Sequence, residues 1–301
     1  MGRTVGVIGL GNMGRGMATN LLEAGFPIVV YDVRPEAVEQ FVAAGARGAG
    51  GPSEVGELAD TVLVVVLNYP QMAEVILGPE GLVDGLKQGA TVIGSSTISP
   101  AQARTLGAAL AERGIHYVDA PISGGKVGAE AGTLTVMVGA EPEVFAAARP
   151  VLEAISANLY HCGPVGAGQV AKMCNQLMAG VALVATAECL ALAAAAGMDR
   201  RLLYEIITHG AGDAWMFRNR GSRLIAGDPE VTSRLDIWLK DLGIVLEAAD
   251  EHHLPLLLAS AARQWMTMGV ASGLAAEDDS AVVRLMEGFT GARVAQDGSS
   301  Q

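Results

Sequence analysis

Seven short runs rich in β-branched residues, "TVGVIG", "PIVVYD", "TVLVVVL", "ATVIGS", "HYVDAP", "TLTVMVG" and "NLYHC", alternate with helical patterns from residue 4 to about 162, and then the strand signals stop. Continuous apolar runs, rather than apolar residues at alternate positions, mark strands covered on both faces, as in a parallel sheet with crossover helices. The intervening helices fall near 12–24, 35–44, 71–77, 100–112 and 141–154, several opened by Pro, Ser or Asp ahead of the apolar periodicity. Beyond Gly163 only helical patterns follow, near 167–196, 200–208, 215–225, 233–252, 256–270 and 278–288. The pattern predicts an α/β chain with a doubly wound sheet over 1–163, an all-α domain over 164–290 and a flexible polar tail over 291–301.

At 301 residues the chain sits where one hydrophobic core tends to split in two. A net charge of -12 opposes nucleic acid or anionic membrane as partner, because the non-specific electrostatic term would be repulsive. Cys162, Cys174 and Cys189 are odd in number and lack CxxC spacing, which predicts reduced thiols, no metal site and a reducing, cytoplasmic setting. The stretch from Leu177 to Met198 is long and apolar enough to suggest a membrane span. It contains Glu188 and is dominated by Ala and Gly, so a buried helix is the better reading.

"VGVIGLGNMGRGM" places Gly9, Gly11 and Gly14 as G-x-G-x-x-G between a strand and a helix, the context that makes this pattern a dinucleotide site of a Rossmann-type domain. The free N–H groups at Asn12, Met13 and Gly14, together with the helix dipole, suit a pyrophosphate. Asp32 ends the second strand, where an acidic side chain accepts hydrogen bonds from the adenosine ribose and favours NAD over NADP. Arg34, two residues on, is a cation that a 2′-phosphate would attract, and the nearby Asp32 opposes that pairing.

These residues, with "SSTISP" at 95–100, "DAPISGG" at 119–125 and "GAGQVAKMCNQ" at 166–176, make residues 4 to about 290 resemble the β-hydroxyacid dehydrogenases, the family of 3-hydroxyisobutyrate, tartronate semialdehyde and 6-phosphogluconate dehydrogenases. One departure is Gly94, where many members have Asp. The resemblance implies that Thr97 and Lys240 serve the cofactor, with Asp241 fixing the structure around Lys240. It also implies that Ser123, Gly124 and Gly125 hold the substrate carboxylate and that the helical domain closes over the substrate; that domain has more apolar surface than it can cover alone, which predicts a role in oligomerisation. Backbone amides and a hydroxyl in an S-G-G segment suit a carboxylate, although S-G-G alone would be an ordinary turn.

The chain has four lysines against sixteen arginines, so a lysine among apolar residues requires an explanation. Lys172 shares a helical face with Asn175 and Gln176, three and four positions on. Alcohol oxidation by hydride loss needs a base for the hydroxyl proton, and a lysine in a partly dry pocket can act as one. The resemblance assigns Lys172 as the general acid/base and one of the two amides to the substrate. "THGAGDAWMFRNR" and "EDDSAV" are similar to the branch that includes L-threonate dehydrogenase, which predicts a small 3-hydroxy or polyhydroxy acid near Asp213, Asn219 and His209, with Trp215 and Met216 as a wall. The alternatives are a β-hydroxy amino acid, whose ammonium Asp213 would pair, and an NADPH-dependent semialdehyde or glyoxylate reductase. A non-catalytic dinucleotide-binding scaffold is opposed by the presence of Lys172. A homodimer or homotetramer is expected.

Overall fold

The computed structural model describes residues 4–228 and 230–296. The chain divides into two compact units, Met1–Met173 and Cys174–Gln301. The division lies inside one long helix, whose first turns belong to the sheet-containing unit.

The first unit alternates as the apolar runs predict. Its elements are β1 (Val5–Ile8), α1 (Asn12–Glu23), β2 (Ile28–Tyr31), α2 (Pro35–Ala43), β3 (Arg47–Gly48), α3 (Pro52–Leu58), β4 (Thr61–Val64), α4 (Tyr69–Leu77), α5 (Leu82–Gly85), β5 (Thr91–Gly94), α6 (Pro100–Ala111) and β6 (His116–Asp119). There follow β7 (Ile122–Ser123), α7 (Gly125–Glu130), β8 (Leu134–Gly139), α8 (Pro142–Glu153), β9 (Ser156–Gly163) and the start of α9 (Ala167–Ala195). Every residue of β1, β4 and β5 is buried. Alternate strand residues feed two cores: Val5, Val7, Leu63 and Ile93 pack with Met17 and Leu21 of α1, whereas Ile8, Val62, Val64 and Val92 pack with α4 and α6.

The strand order is β3-β2-β1-β4-β5-β6-β8-β7, with β9 beside β8. Pairing is parallel from β3 through β6, the order of a dinucleotide-binding sheet. The expected all-parallel sheet does not extend further. β6 and β7 run antiparallel to β8, with Asp119 opposite Gly139, Ile122 opposite Val136 and Ser123 opposite Thr135. One register links these pairs, so β6 and β7 are two pieces of an interrupted strand. The segment between β7 and β8 is too short for a full crossover, and the chain turns straight back. Apolar continuity reports burial on both faces and not direction.

The second unit is helical: the rest of α9, α10 (Arg200–Thr208), a π-helical turn (Phe217–Gly221), α11 (Ser222–Ala226), α12 (Leu235–Glu251), α13 (Leu257–Ala271), a 3₁₀ turn (Asp279–Val282) and α14 (Val283–Thr290). By length and composition α9 qualifies as a membrane span, with a mean hydropathy of 2.0 in its most apolar window. Its Leu183 and Leu190 are fully buried against Phe217, Trp238, Leu242, Met266 and Met286, so this stretch is the spine of a protein core. The Arg220 guanidinium grips the Asp279 carboxylate through two bonds of 2.7 and 2.9 Å, and Trp238 Nε1 donates to the same carboxylate at 2.7 Å. Residues 291–296, expected to be loose, are held. Val294 is 1% exposed, its N–H donates to Glu287, and Gln296 N–H donates to Ile225 O. The rest of the expected tail, 297–301, lies outside the described residues.

Candidate active site

Gly9 leaves β1 at φ 95°, and a Cβ there would lie 2.3 Å from Val65 O; a Cβ on Gly14 would lie 1.8 Å from Gly9 O. Glycine is therefore required at both positions. α1 begins after Gly11 with no side-chain cap and no acid in its first turn, and Arg15 N–H is the donor that reaches Gly11 O. Asn12, Met13 and Gly14 thus carry the first amides of an uncompensated positive helix end. A Cβ built on Gly11 meets nothing within 4 Å, which leaves the open approach a pyrophosphate needs. These residues fit a dinucleotide.

Asp32 is committed within the same loop. Leu10 N–H donates to its carboxylate at 2.6 Å, while the Arg34 N–H and Nε each donate at 2.9 Å. Arg34 Nη2 also reaches Leu10 O at 3.2 Å. Burial opposes ionisation of Asp32, but the bonds from Arg34 and Leu10 outweigh it and hold the carboxyl below its ordinary range. Asp32 therefore stays charged and braces the glycine loop.

"SSTISP" follows β5. Ser96 Oγ donates to Val66 O, Thr97 is half-buried, and Ser99 starts α6 in a reciprocal capping box with Gln102. A Cβ at Gly94 would lie 2.4 Å from the hydroxyl of the buried Tyr117, so a side chain there would have to displace the ring. Ser123 ends β7 and Gly124, at φ 131°, caps α7, so the expected S-G-G loop is the junction of a strand and a short helix. Asn20 of α1 donates to Ala129 O at 2.7 Å, which seats α7 directly on the cofactor helix.

The start of α9 is bolted down. Asp119, fully buried at the end of β6, accepts from Gly166 N–H at 2.8 Å and from Gln169 N–H at 2.9 Å. The Gln169 side chain accepts from Ile98 N–H at 3.2 Å and donates to Ser96 O at 3.1 Å. Lys172, 6% exposed, lies one helical turn beyond Gln169. Burial pushes the Asp119 carboxyl up to about 6, against the pull of backbone N–H groups at Gly166, Gln169 and Gly168. Asp119 and Gln169 lie inside the "DAPISGG" and "GAGQVAKMCNQ" stretches, and the local sequence assigns neither a role. The available signal was an acidic residue closing an otherwise apolar strand.

In the second unit Gln176 is buried and its Nε2 donates to Asp241 at 2.6 Å, whereas Asn175 is exposed. Lys240 Nζ lies 2.7 Å from the other Asp241 oxygen, and Asp241 is 3% exposed. The Lys240–Asp241 pair is therefore one side of a buried network, not a surface charge pair. Asp213 is taken by Arg218 at 2.8 Å and would have to surrender that pair to bind an ammonium. His209 caps α10 through a 2.7 Å bond with Glu205 O, and Asn219 accepts from Arg220; both serve local structure. Trp215 is exposed and Met216 is buried.

Comparison with known proteins agrees with this geometry. Residues 4–163 match the NAD binding domain of 6-phosphogluconate dehydrogenase, and residues 166–286 match the NAD-binding domain of NADP-dependent 3-hydroxyisobutyrate dehydrogenase. An L-threonate dehydrogenase of Cupriavidus necator is 43% identical over 290 residues, covering 96% of this chain and 98% of the relative. The crystal structure of 3-hydroxyisobutyrate dehydrogenase from Salmonella typhimurium superposes with a TM-score of 0.89 at 39% identity, covering 94% of this chain and 99% of that one. The Mycobacterium tuberculosis 3-hydroxyisobutyrate dehydrogenase, solved with L-serine, gives 0.83 at 30% identity, covering 95% of this chain and 99% of that one. With a Rossmann-type domain, an all-helical second domain and the family's glycine loop in place, this chain belongs to the hydroxyacid dehydrogenase family that contains the 3-hydroxyisobutyrate and L-threonate dehydrogenases.

Proposed function

We propose that the chain oxidises the hydroxyl of a small 3-hydroxy acid, threonate-like or 3-hydroxyisobutyrate-like, with NAD as cofactor and Lys172 as general acid/base. The observation that carries this reading is the buried Lys172 on a helix whose first turn is tied by hydrogen bonds to the "SSTISP" loop and to the end of β6. Gly9, Gly11, Asn12, Met13, Gly14, Asp32, Thr97 and Lys240 would hold the dinucleotide, which when bound supplies the hydride acceptor. Lys172 takes the substrate hydroxyl proton in oxidation and returns it in reduction. Ser123, Gly124 and Gly125 take the carboxylate. Asn175 or Gln176 is the amide that meets the substrate, and Gln176 Nε2 donates to Asp241.

The preference for NAD rests on Asp32: its carboxylate is held ionised and would meet a 2′-phosphate with like charge. The threonate-like substrate is supported by the 43% identical relative named L-threonate dehydrogenase. Turnover of L-threonate, 3-hydroxyisobutyrate, glycerate, and D- and L-threonine with NAD and NADP tests both choices. No turnover of any 3-hydroxy acid defeats the substrate class, and a preference for NADP defeats the role given to Asp32. Lys172→Ala should lower kcat by about 10²–10⁴-fold with NAD affinity nearly intact. Unchanged turnover would remove Lys172 from the mechanism.

A further inference from the structure

Helix α9 has no acidic or hydroxyl residue of its own at its start; "GPVGAGQ" precedes and opens it. The cap comes from a strand far away in sequence. Val170 N–H bonds Gly166 O, so Gly166 is the cap residue and Gln169 is the third helical position. Asp119 takes the N–H groups of both, the two donors that a reciprocal capping box satisfies with local side chains. There is no slack around the carboxylate. A Cβ at Gly139 would lie 2.0 Å from Asp119 Oδ1, and one at Gly168 would lie 2.7 Å from Oδ2. The Gln169 side chain ties the same turn to Ser96 and Ile98. Lys172 is three residues past Gln169 and shares its helical face.

We propose that Asp119 is a positioning residue for the reaction: its carboxylate fixes the first turn of α9 against β6 and so sets the place of the Lys172 amine. This rests on the assignment of Lys172 as acid/base. Displacing a reacting group by about 1 Å costs on the order of 10²-fold in rate, so an anchor one turn away has kinetic weight. A protonated carboxyl can no longer accept with both oxygens equally, so the first turn of α9 is held in a different geometry once Asp119 takes up a proton. The titratable neighbours of Asp119 are Tyr117 on its own strand, pushed up by burial, and Cys162 on β9, also pushed up by burial. The Arg104 guanidinium of α6 lies beside Gly166, and Lys172 is the ionisable side chain of α9 one turn beyond Gln169. The carboxyl sits near 6, so on the acid side of neutrality the geometry set by the ionised carboxylate gives way to that of the neutral acid, which stays buried.

The reductive direction separates the two groups, since Lys172 must be protonated there and limits the rate on the alkaline side. Reductive kcat of the full-length enzyme should be bell-shaped, with an acid limb near pH 6. Asp119→Asn should lower kcat roughly 10–100-fold, leave cofactor affinity nearly unchanged, and abolish the acid limb while keeping the alkaline one. Wild-type kcat in Asp119→Asn, or a lowered kcat that keeps the acid limb, overturns the proposal. If Asp119→Asn does not fold, amide exchange in the wild type decides. Protection of Gly166 and Gln169, referenced to unfolded rates, should rise as the pH drops through about 6, because the anchored carboxyl holds its proton more tightly than a released one, while the middle of α9 is unchanged. Protection independent of pH overturns the proposal. Turnover by Lys172→Ala would defeat the acid/base assignment, whereas an inactive Lys172→Ala beside a fully active Asp119→Asn defeats the positioning role alone.

Discussion

Each unit buries a carboxylate with essentially no exposure, and the two are treated differently. Asp279 in the helical unit faces a bidentate Arg220 and the Trp238 N–H. Asp119 in the sheet unit accepts backbone N–H groups and has no ion pair among the described residues. Burial pushes both carboxyls up, and in Asp279 it does so even against the guanidinium. A buried carboxylate with its own cation welds two segments, here the π-helical turn and the 3₁₀ turn. One capped by amides alone stays poised to titrate near the range where a cell operates. The first kind is a fastening and the second is an adjustment.

The largest expected effect tests the fastening. Arg220→Met leaves Asp279 buried without its cation and should cost about 3–5 kcal/mol of stability, read as the shift in denaturant midpoint. A loss much below about 1 kcal/mol, the worth of an exposed pair, would erase the contrast. Next comes the pH dependence of stability in Asp119→Asn. The folded carboxyl near 6 lies above its ordinary value of 3.8, so its ionised form costs the fold. The stability it contributes is complete below about pH 4 and is lost as the pH rises through about 6. Asn carries no such cost, so relative to wild type the variant should gain with rising pH, by up to ~3 kcal/mol. Thermal melts across that window check this, and a variant that loses stability at neutral pH would make Asp119 a fastening too. The smallest effect is at the cofactor loop. Arg34→Ala removes the exposed partner of Asp32 and should change the ratio of NAD to NADP catalytic efficiency only a few-fold, because Leu10 N–H still holds the carboxylate. A reversal of preference would show that Arg34, rather than Asp32, selects the cofactor.

What the sequence disclosed follows the physics of each element. β1, β4 and β5 were legible because burial on both faces writes an unbroken apolar run. α3 and β3 were not, since "RGAGGPSEVGEL" is too rich in Gly and too short to show periodicity. The cofactor loop was legible because it is local: Gly9 and Gly14 answer to atoms of the same turn or the adjacent strand end. The anchor of α9 was not, because Asp119 and Gly166 are 47 residues apart and meet only once β6 and α9 are in place. The same holds for Gln176 and Asp241, 65 apart, so the sequence left Asn175 and Gln176 as equal candidates.

Tyr117 and Gly94 also set the order in which this lineage can change. With the tyrosine hydroxyl 2.4 Å from where a Cβ would stand, an acid cannot be introduced at 94 as a first step. Removing the hydroxyl gives up its contact with Met72, 3.6 Å away, and still leaves ring carbons 3.1 and 3.2 Å from that Cβ, so position 94 opens only when the ring itself gives way. A library that varies positions 94 and 117 together should therefore recover side chains at 94 that a library varying 94 alone does not.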